Sequence, residues 1–219
     1  VRRVSMTFAF TLLLAVAASA GTVLFDKTLS LSGITARVTQ RDGPAPMKKI
    51  TVTVRASGAH RATVSDDAPN RVVAAWLADL TAGSHPQVIV ATQSGGSGAY
   101  GSLLILEWTG TTLRRHAVAG LSPDAARGYM GHDQYSVEGG KIYRMFPLYG
   151  PKDPNCCPRG GIRRLVYDFV RNRWRILSGT ARLYDVRISN RGSRVGHKSG
   201  EQSNTPLPDP AFALQLKVL

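Results

Sequence analysis

Apolar residues take every second position in MKKITVTVRA (residues 47 to 56), where Ile50, Val52 and Val54 alternate with Thr51, Thr53 and Arg55. A period of two predicts a strand with one buried face and one wet face. TVLFDKTLSL (22 to 31) alternates less cleanly and is expected to form the first strand, with ITARVTQ continuing that region beyond Ser32-Gly33. RDGPAPM reads as a turn, HRATV as a short strand, and SDDAPN as the loop that closes it. RVVAAWLADL (71 to 80) is alanine-rich, which favours a helix, yet a helix would have to start and stop within about ten residues. Read as a strand, it places Val72, Ala74, Trp76 and Ala78 on one face, and the connector DLTAGSHPQV feeds into PQVIVATQ (86 to 93) as the return arm of a hairpin.

SGGSGAYG (94 to 101) then joins that arm to SLLILEW (102 to 108), and WTGTTLRRHAV turns at Thr109-Gly110-Thr111. KIYRMFPLY (141 to 149) and IRRLVYDF (162 to 169) are strands separated by a loop of proline, glycine and cysteine, and YDFVRNRWRIL turns at Arg171-Asn172-Arg173. Short strands at close intervals predict an all-β chain, an antiparallel β-sandwich with little helix, over residues 21 to 188. ARLYDVRI is a further candidate strand, and residues 189 to 219 form a polar tract not expected to pack.

The opening VRRVSMTFAFTLLLAVAASAG places two arginines before an apolar stretch from Phe8 to Ala18, with Ala18-Ser19-Ala20 as a cleavage site. Residues 1 to 20 read as a secretory signal peptide, since the apolar run is shorter than the 18 or more residues that span a bilayer. No integral membrane segment is expected after cleavage, and no cysteine stands nearby for a lipid anchor.

The formal charge of +14 falls to +12 once Arg2 and Arg3 leave with the signal. Export turns that surplus away from nucleic acid and toward anionic envelope polymers or an acidic protein surface. Cys156 and Cys157 are adjacent in DPNCCPRG, where they can bridge to one another, pair between chains or stay reduced. They supply too few ligands for a metal site.

Catalytic patterns are weak. His60, His85, His116, His132 and His197 show no compact ligand spacing, and His132-Asp133 in GHDQYS is the best local acid–base pair. No GxSxG elbow completes it, and Ser97 in GGSGA has no base within sequence reach. DLTAGSHPQ has the outline of a calcium loop, but Thr81 and Gly83 stand where carboxylates should follow Asp79. No catalysis, metal or cofactor is expected.

The glycines of SGGSGAYG allow a narrow hairpin tip, and Tyr100 is its one large amphipathic group. Its ring either projects as a binding anchor or folds back over the sheet. The stretch QVIVATQSGGSGAYGSLLILEWTGTTL, preceded by ADLTAGSHP and followed later by GGIRRLVYDF, resembles the periplasmic inhibitors of invertebrate-type lysozyme found in Gram-negative bacteria. The resemblance spans roughly residues 71 to 177. In that family a loop of the form SGxxGxY enters the lysozyme cleft, and a serine and the tyrosine three residues later meet its catalytic groups. It implies that Ser97 and Tyr100 have those roles here, framed by Ser94, Gly95 and Gly98. It further implies a periplasmic antiparallel β-sandwich, often a homodimer, whose partner is a lysozyme. The competing expectation is a non-catalytic module binding peptidoglycan or another anionic glycan through its basic surface.

Overall fold

Residues 21–56, 60–83 and 85–177 are described in the computed structural model. The expected signal peptide (1–20), the candidate strand ARLYDVRI and the polar tract (189–219) lie outside them.

The chain folds as three four-stranded antiparallel sheets, each built from strands consecutive in sequence. The first contains β1 (Val23–Leu31), β2 (Ile34–Asp42), β3 (Lys48–Arg55) and β4 (Arg61–Ala68) in that spatial order. The second contains β5 (Arg71–Ala78), β6 (Gln87–Gln93), β7 (Gly101–Trp108) and β8 (Leu113–His116). A single helical turn, α1 (Pro123–Ala126), leads to the third, made of β9 (Gln134–Glu138), β10 (Lys141–Pro147), β11 (Ile162–Asp168) and β12 (Arg173–Ile176). The all-β antiparallel sandwich expected from the sequence is therefore present, with three layers.

The layering follows from burial. On β3 the inward residues Ile50, Val52 and Val54 meet Val72, Ala75, Val88, Val90, Leu104 and Leu106 of the second sheet. The opposite face of that sheet places Ile89 and Ile105 against Ile142, Phe146, Leu165, Tyr167 and Trp174 of the third. A strand covered on both sides needs no polar alternation, which is why Gln87 to Thr92 is buried without interruption. Each fully buried Val or Ile there contributes about 1.5–3 kcal/mol. Gln40, wholly buried, ties the first two sheets by donating to the Asn70 carbonyl (2.8 Å) and accepting the Val72 N–H (2.9 Å). The connection from β8 is fixed to the third sheet by Trp174 Nε1, which donates to the Ala119 carbonyl at 3.0 Å.

Three local expectations change. SDDA belongs to β4 and is no loop, because Ser65 to Ala68 continue the β3 ladder from an edge position where acidic side chains stay wet. Asp66 there forms an ion pair with Arg115 of β8 at 2.8 Å. RVVAAWLA is a strand, but its apolar positions do not share one face. A bulge between Val72 and Ala74 shifts the phase, so Val72 and Ala75 join the first interface while Trp76 and Ala78 join the second. QYSVE, not expected as a strand, is β9. Cys156 and Cys157 are disulfide-bonded to each other in the loop between β10 and β11.

Candidate functional site

The loop from Ser94 to Tyr100 closes the β6–β7 hairpin above the Gln93–Gly101 pair. Ser94 N–H donates to the Tyr100 carbonyl (2.8 Å), and Tyr100 N–H donates to Ser94 Oγ (2.9 Å), so the first and last residues of the loop clasp each other. Gln93 Nε2 donates to the Ala99 carbonyl at 3.2 Å. Gly96 has φ of +91° and Ala99 +42°, the left-handed conformations that let the loop turn so tightly. Ser97 and Gly95 are exposed at the tip.

Tyr100 takes a position between the two expected alternatives. One side of its ring lies on Gly98, where a Cβ would come within 2.4 Å of Tyr100 Cε2, and its edge meets Tyr129 with ring centres 5.7 Å apart at 79°. The other side is open, leaving the residue 48% exposed. Ser94 and Tyr100 are thus brought together by direct hydrogen bonds, Gly98 forms the seat of the ring, and Ser97 stands beyond it.

This loop rests on the segment between α1 and β9. His132, at φ +58°, donates its N–H to the Gly98 carbonyl at 2.7 Å. Gly131 is needed for that approach: at φ +93°, any Cβ on it would lie 1.9 Å from Gly98 O. Asp133 accepts the Gly101 N–H on Oδ2 at 2.7 Å. Gly101 is equally constrained, since a Cβ would sit 2.5 Å from Asp133 Cβ and 2.7 Å from Tyr135 Cε2.

Beneath lies a buried ionic centre that the sequence reading did not find. Arg144 Nε donates to Asp133 Oδ1 at 2.6 Å, with the two side chains 9% and 0% exposed. Tyr129 completes the network, its hydroxyl donating to Asp133 Oδ2 (2.5 Å) and accepting from Arg144 Nη2 (2.9 Å). Burial, reinforced by the hydrogen bond and charge of Asp133, pushes the Tyr129 hydroxyl well above the ordinary phenol range, which keeps it a donor. Burial alone would lower the Arg144 pKa, but the hydrogen bond to Asp133 and neighbouring oxygens outweigh it and raise it. The guanidinium is enclosed by the rings of Tyr129, Tyr135, Phe146 and Trp174 at 5.1 to 5.7 Å from their centres. The signal for this centre was present: Arg144 occupies a core-facing register between Ile142 and Phe146, and an inward arginine requires a buried carboxylate.

The arrangement separates His132 from Asp133 as an acid–base pair. Asp133 is committed to Arg144, Tyr129 and Gly101, while the His132 ring stacks near Tyr149 at 6.3 Å. Tyr149 in turn donates its hydroxyl to the Asn155 carbonyl at 3.1 Å, which links the disulfide-bearing loop to the same end of the sandwich. The candidate calcium loop uses its carboxylate internally: Asp79 Oδ1 accepts from Thr81 N–H (3.0 Å), Thr81 Oγ1 (3.2 Å) and Gly83 N–H (3.2 Å). Burial raises the Asp79 pKa, but these donors outweigh it and hold the carboxyl below its ordinary value. Among the described residues no group of three or more His, Cys, Asp or Glu could hold a metal ion.

No protein-family model matches the chain, and no curated protein matches it. Among solved structures, a Bombyx mori GH32 beta-fructofuranosidase is similar at 12% identity and a TM-score of 0.39, over 76% of this chain and 39% of that one. An ACO/RPE65 chimera is similar at 12% identity and a TM-score of 0.31, over 69% of this chain and 38% of that one. The chain thus spans about two fifths of the length of each. Neither similarity is high enough to assign an activity.

Proposed function

We propose that this protein is a periplasmic inhibitor of a lysozyme, of the invertebrate type, acting through the Ser94–Tyr100 loop. The observation that carries this reading is a half-exposed tyrosine on a tight hairpin whose base is fastened to a buried ion pair. An anchor held rigid before contact loses little entropy on binding, so more of its interaction energy appears as affinity. Tyrosine suits the role because it brings a large contact area and a hydroxyl at the cost of few rotatable bonds.

In this mechanism the loop enters the cleft where glycan would lie. The Tyr100 hydroxyl and Ser97 Oγ hydrogen-bond the two carboxylates that carry out acid–base work on the glycosidic bond. Nothing is cleaved and no cofactor takes part. The formal charge of +12 left after residues 1 to 20 are removed favours an acidic lysozyme surface around that cleft and slows encounter with a cationic one.

The reading is tested by titrating invertebrate-type, chicken-type and goose-type lysozymes with the purified protein. Selective inhibition saturating at stoichiometric protein is the expected result. Full activity of all three classes at excess protein would refute it and leave anionic-glycan binding as the better account.

A further inference from the structure

The outer face of the first sheet carries an arrangement that folding does not require. Because Ile50, Val52 and Val54 point inward on β3, its Thr51, Thr53 and Arg55 point outward, and the ladder aligns them with outward residues of β2 and β4. Arg55 is directly opposite Arg61, both exposed. Neither has an ion-pair partner among the described residues. Like charges placed opposite one another across a ladder are unfavourable. Beside them, Thr53 and Thr63 form a cross-strand hydroxyl pair at 3.1 Å, and Thr51 and Ser65 form another at 3.1 Å. At the far end of the same face Arg41 stands opposite Lys49, but Asp67 of β4 faces Lys49 from its other side. Between the two ends Arg37 is ion-paired to Asp26 at 2.6 Å, so the Arg55–Arg61 pair is the one left without a nearby carboxylate across the ladder. Lys49 and Arg55 are six steps apart along β3, about 20 Å at the rise of an extended strand.

We propose that this face binds an acidic polysaccharide, lying along the hydroxyl rows with its carboxylates or sulfates bridging the Arg55–Arg61 pair. Guanidinium groups recognise such oxyanions through paired hydrogen bonds, and a bound anion turns the repulsive pair into an attractive site. Unpaired positive charge at one end of a strip otherwise lined by hydroxyls and neutralised pairs fits a hydroxyl-rich chain whose charges are widely spaced. Duplex nucleic acid carries one charge per ~1.7 Å of axis, and single strands are held by stacking bases on aromatic rings. No outward position of β2, β3 or β4 is aromatic. The site uses no residue of the Ser94–Tyr100 loop and stands independently of the inhibitor reading.

The test is a set of dissociation constants at low salt for polygalacturonate, dextran sulfate, neutral dextran and a single-stranded oligonucleotide. At least one acidic polysaccharide binds, neutral dextran does not, and the preference between the two distinguishes carboxylate from sulfate. Arg55→Gln with Arg61→Gln weakens that binding about tenfold, whereas Lys152→Gln with Arg173→Gln, an equal loss of charge outside the first sheet, changes it little. Arg61→Glu abolishes binding and raises the melting temperature, because it sets opposite charges across the ladder. The proposal fails if neither polysaccharide binds, if both double variants weaken binding equally, if the oligonucleotide binds most tightly, or if Arg61→Glu lowers the melting temperature.

Discussion

Substituting Asp133→Ala removes the acceptor that joins the loop to the core. Three donors lose their partner at once: Arg144 Nε at 2.6 Å, the Tyr129 hydroxyl at 2.5 Å and the Gly101 N–H at 2.7 Å. The Arg144 charge, with its side chain 9% exposed, is then left in a cage of aromatic rings. Breaking a buried pair from one side costs about 3–5 kcal/mol, because the stranded charge keeps its desolvation penalty. For a domain of this size about 1 kcal/mol moves the melting temperature by about 2–4 °C, so the expected fall is about 6–20 °C. Thermal melts followed by circular dichroism measure it, with urea unfolding as a check that the m-value is unchanged. Combining Asp133→Ala with Arg144→Met removes the stranded charge and should recover most of that stability, while the Gly101 N–H stays without its acceptor and the loop stays unfastened. A fall below about 2 °C in the single variant, or a double variant no more stable than the single, would show that the centre does not hold the loop as argued.

Gly131→Ala should perturb the loop more selectively, since its new Cβ meets a Gly98 carbonyl that is already hydrogen-bonded to His132. The expected outcome is a change in the amide resonances of residues 96 to 100 by NMR, with resonances of β2 and β3 unmoved. Stability should also depend on pH through His116, whose ring contacts Tyr167 and Phe169 and whose pKa burial holds below the ordinary 6.5. The unfolded chain then binds the proton more readily, so stability is complete above pH 6.5 and declines as pH falls toward the folded-state pKa. Melting temperatures measured between pH 8 and about 5 should show a slope that is smaller in His116→Asn.

Much of the strand framework was legible because alternation survives wherever a sheet has one wet face. The sequences of β3 and of the β6–β7 hairpin announce both their strands and their turn. Phase was less legible than existence: in RVVAAWLA a bulge between Val72 and Ala74 redistributes the apolar residues over two interfaces, and no composition rule marks that bulge. β4 extends through Asp66 and Asp67 because its acidic residues stand on an edge, where loop-like composition is compatible with a ladder. β9 has only Tyr135 and Val137 as apolar positions, too few to show a period.

The loop itself was visible as a run of glycines, but its support was not. Asp133 drew notice as a neighbour of His132, while its real partners are Arg144, eleven positions away, and Gly101, thirty-two positions away. A sequence shows that an inward arginine needs a carboxylate. Which carboxylate it finds is decided by how the second and third sheets stack.

The most direct test of the central claim is the residual activity of an invertebrate-type lysozyme at one equivalent of protein, wild type beside Tyr100→Ala. Tyr100 is half exposed, so its truncation leaves the fold intact and removes the anchor alone. The account predicts near-complete inhibition by the wild type and an affinity loss of about 2 kcal/mol, roughly thirtyfold, in the variant. Equal inhibition by the two proteins, or none by either, would contradict it.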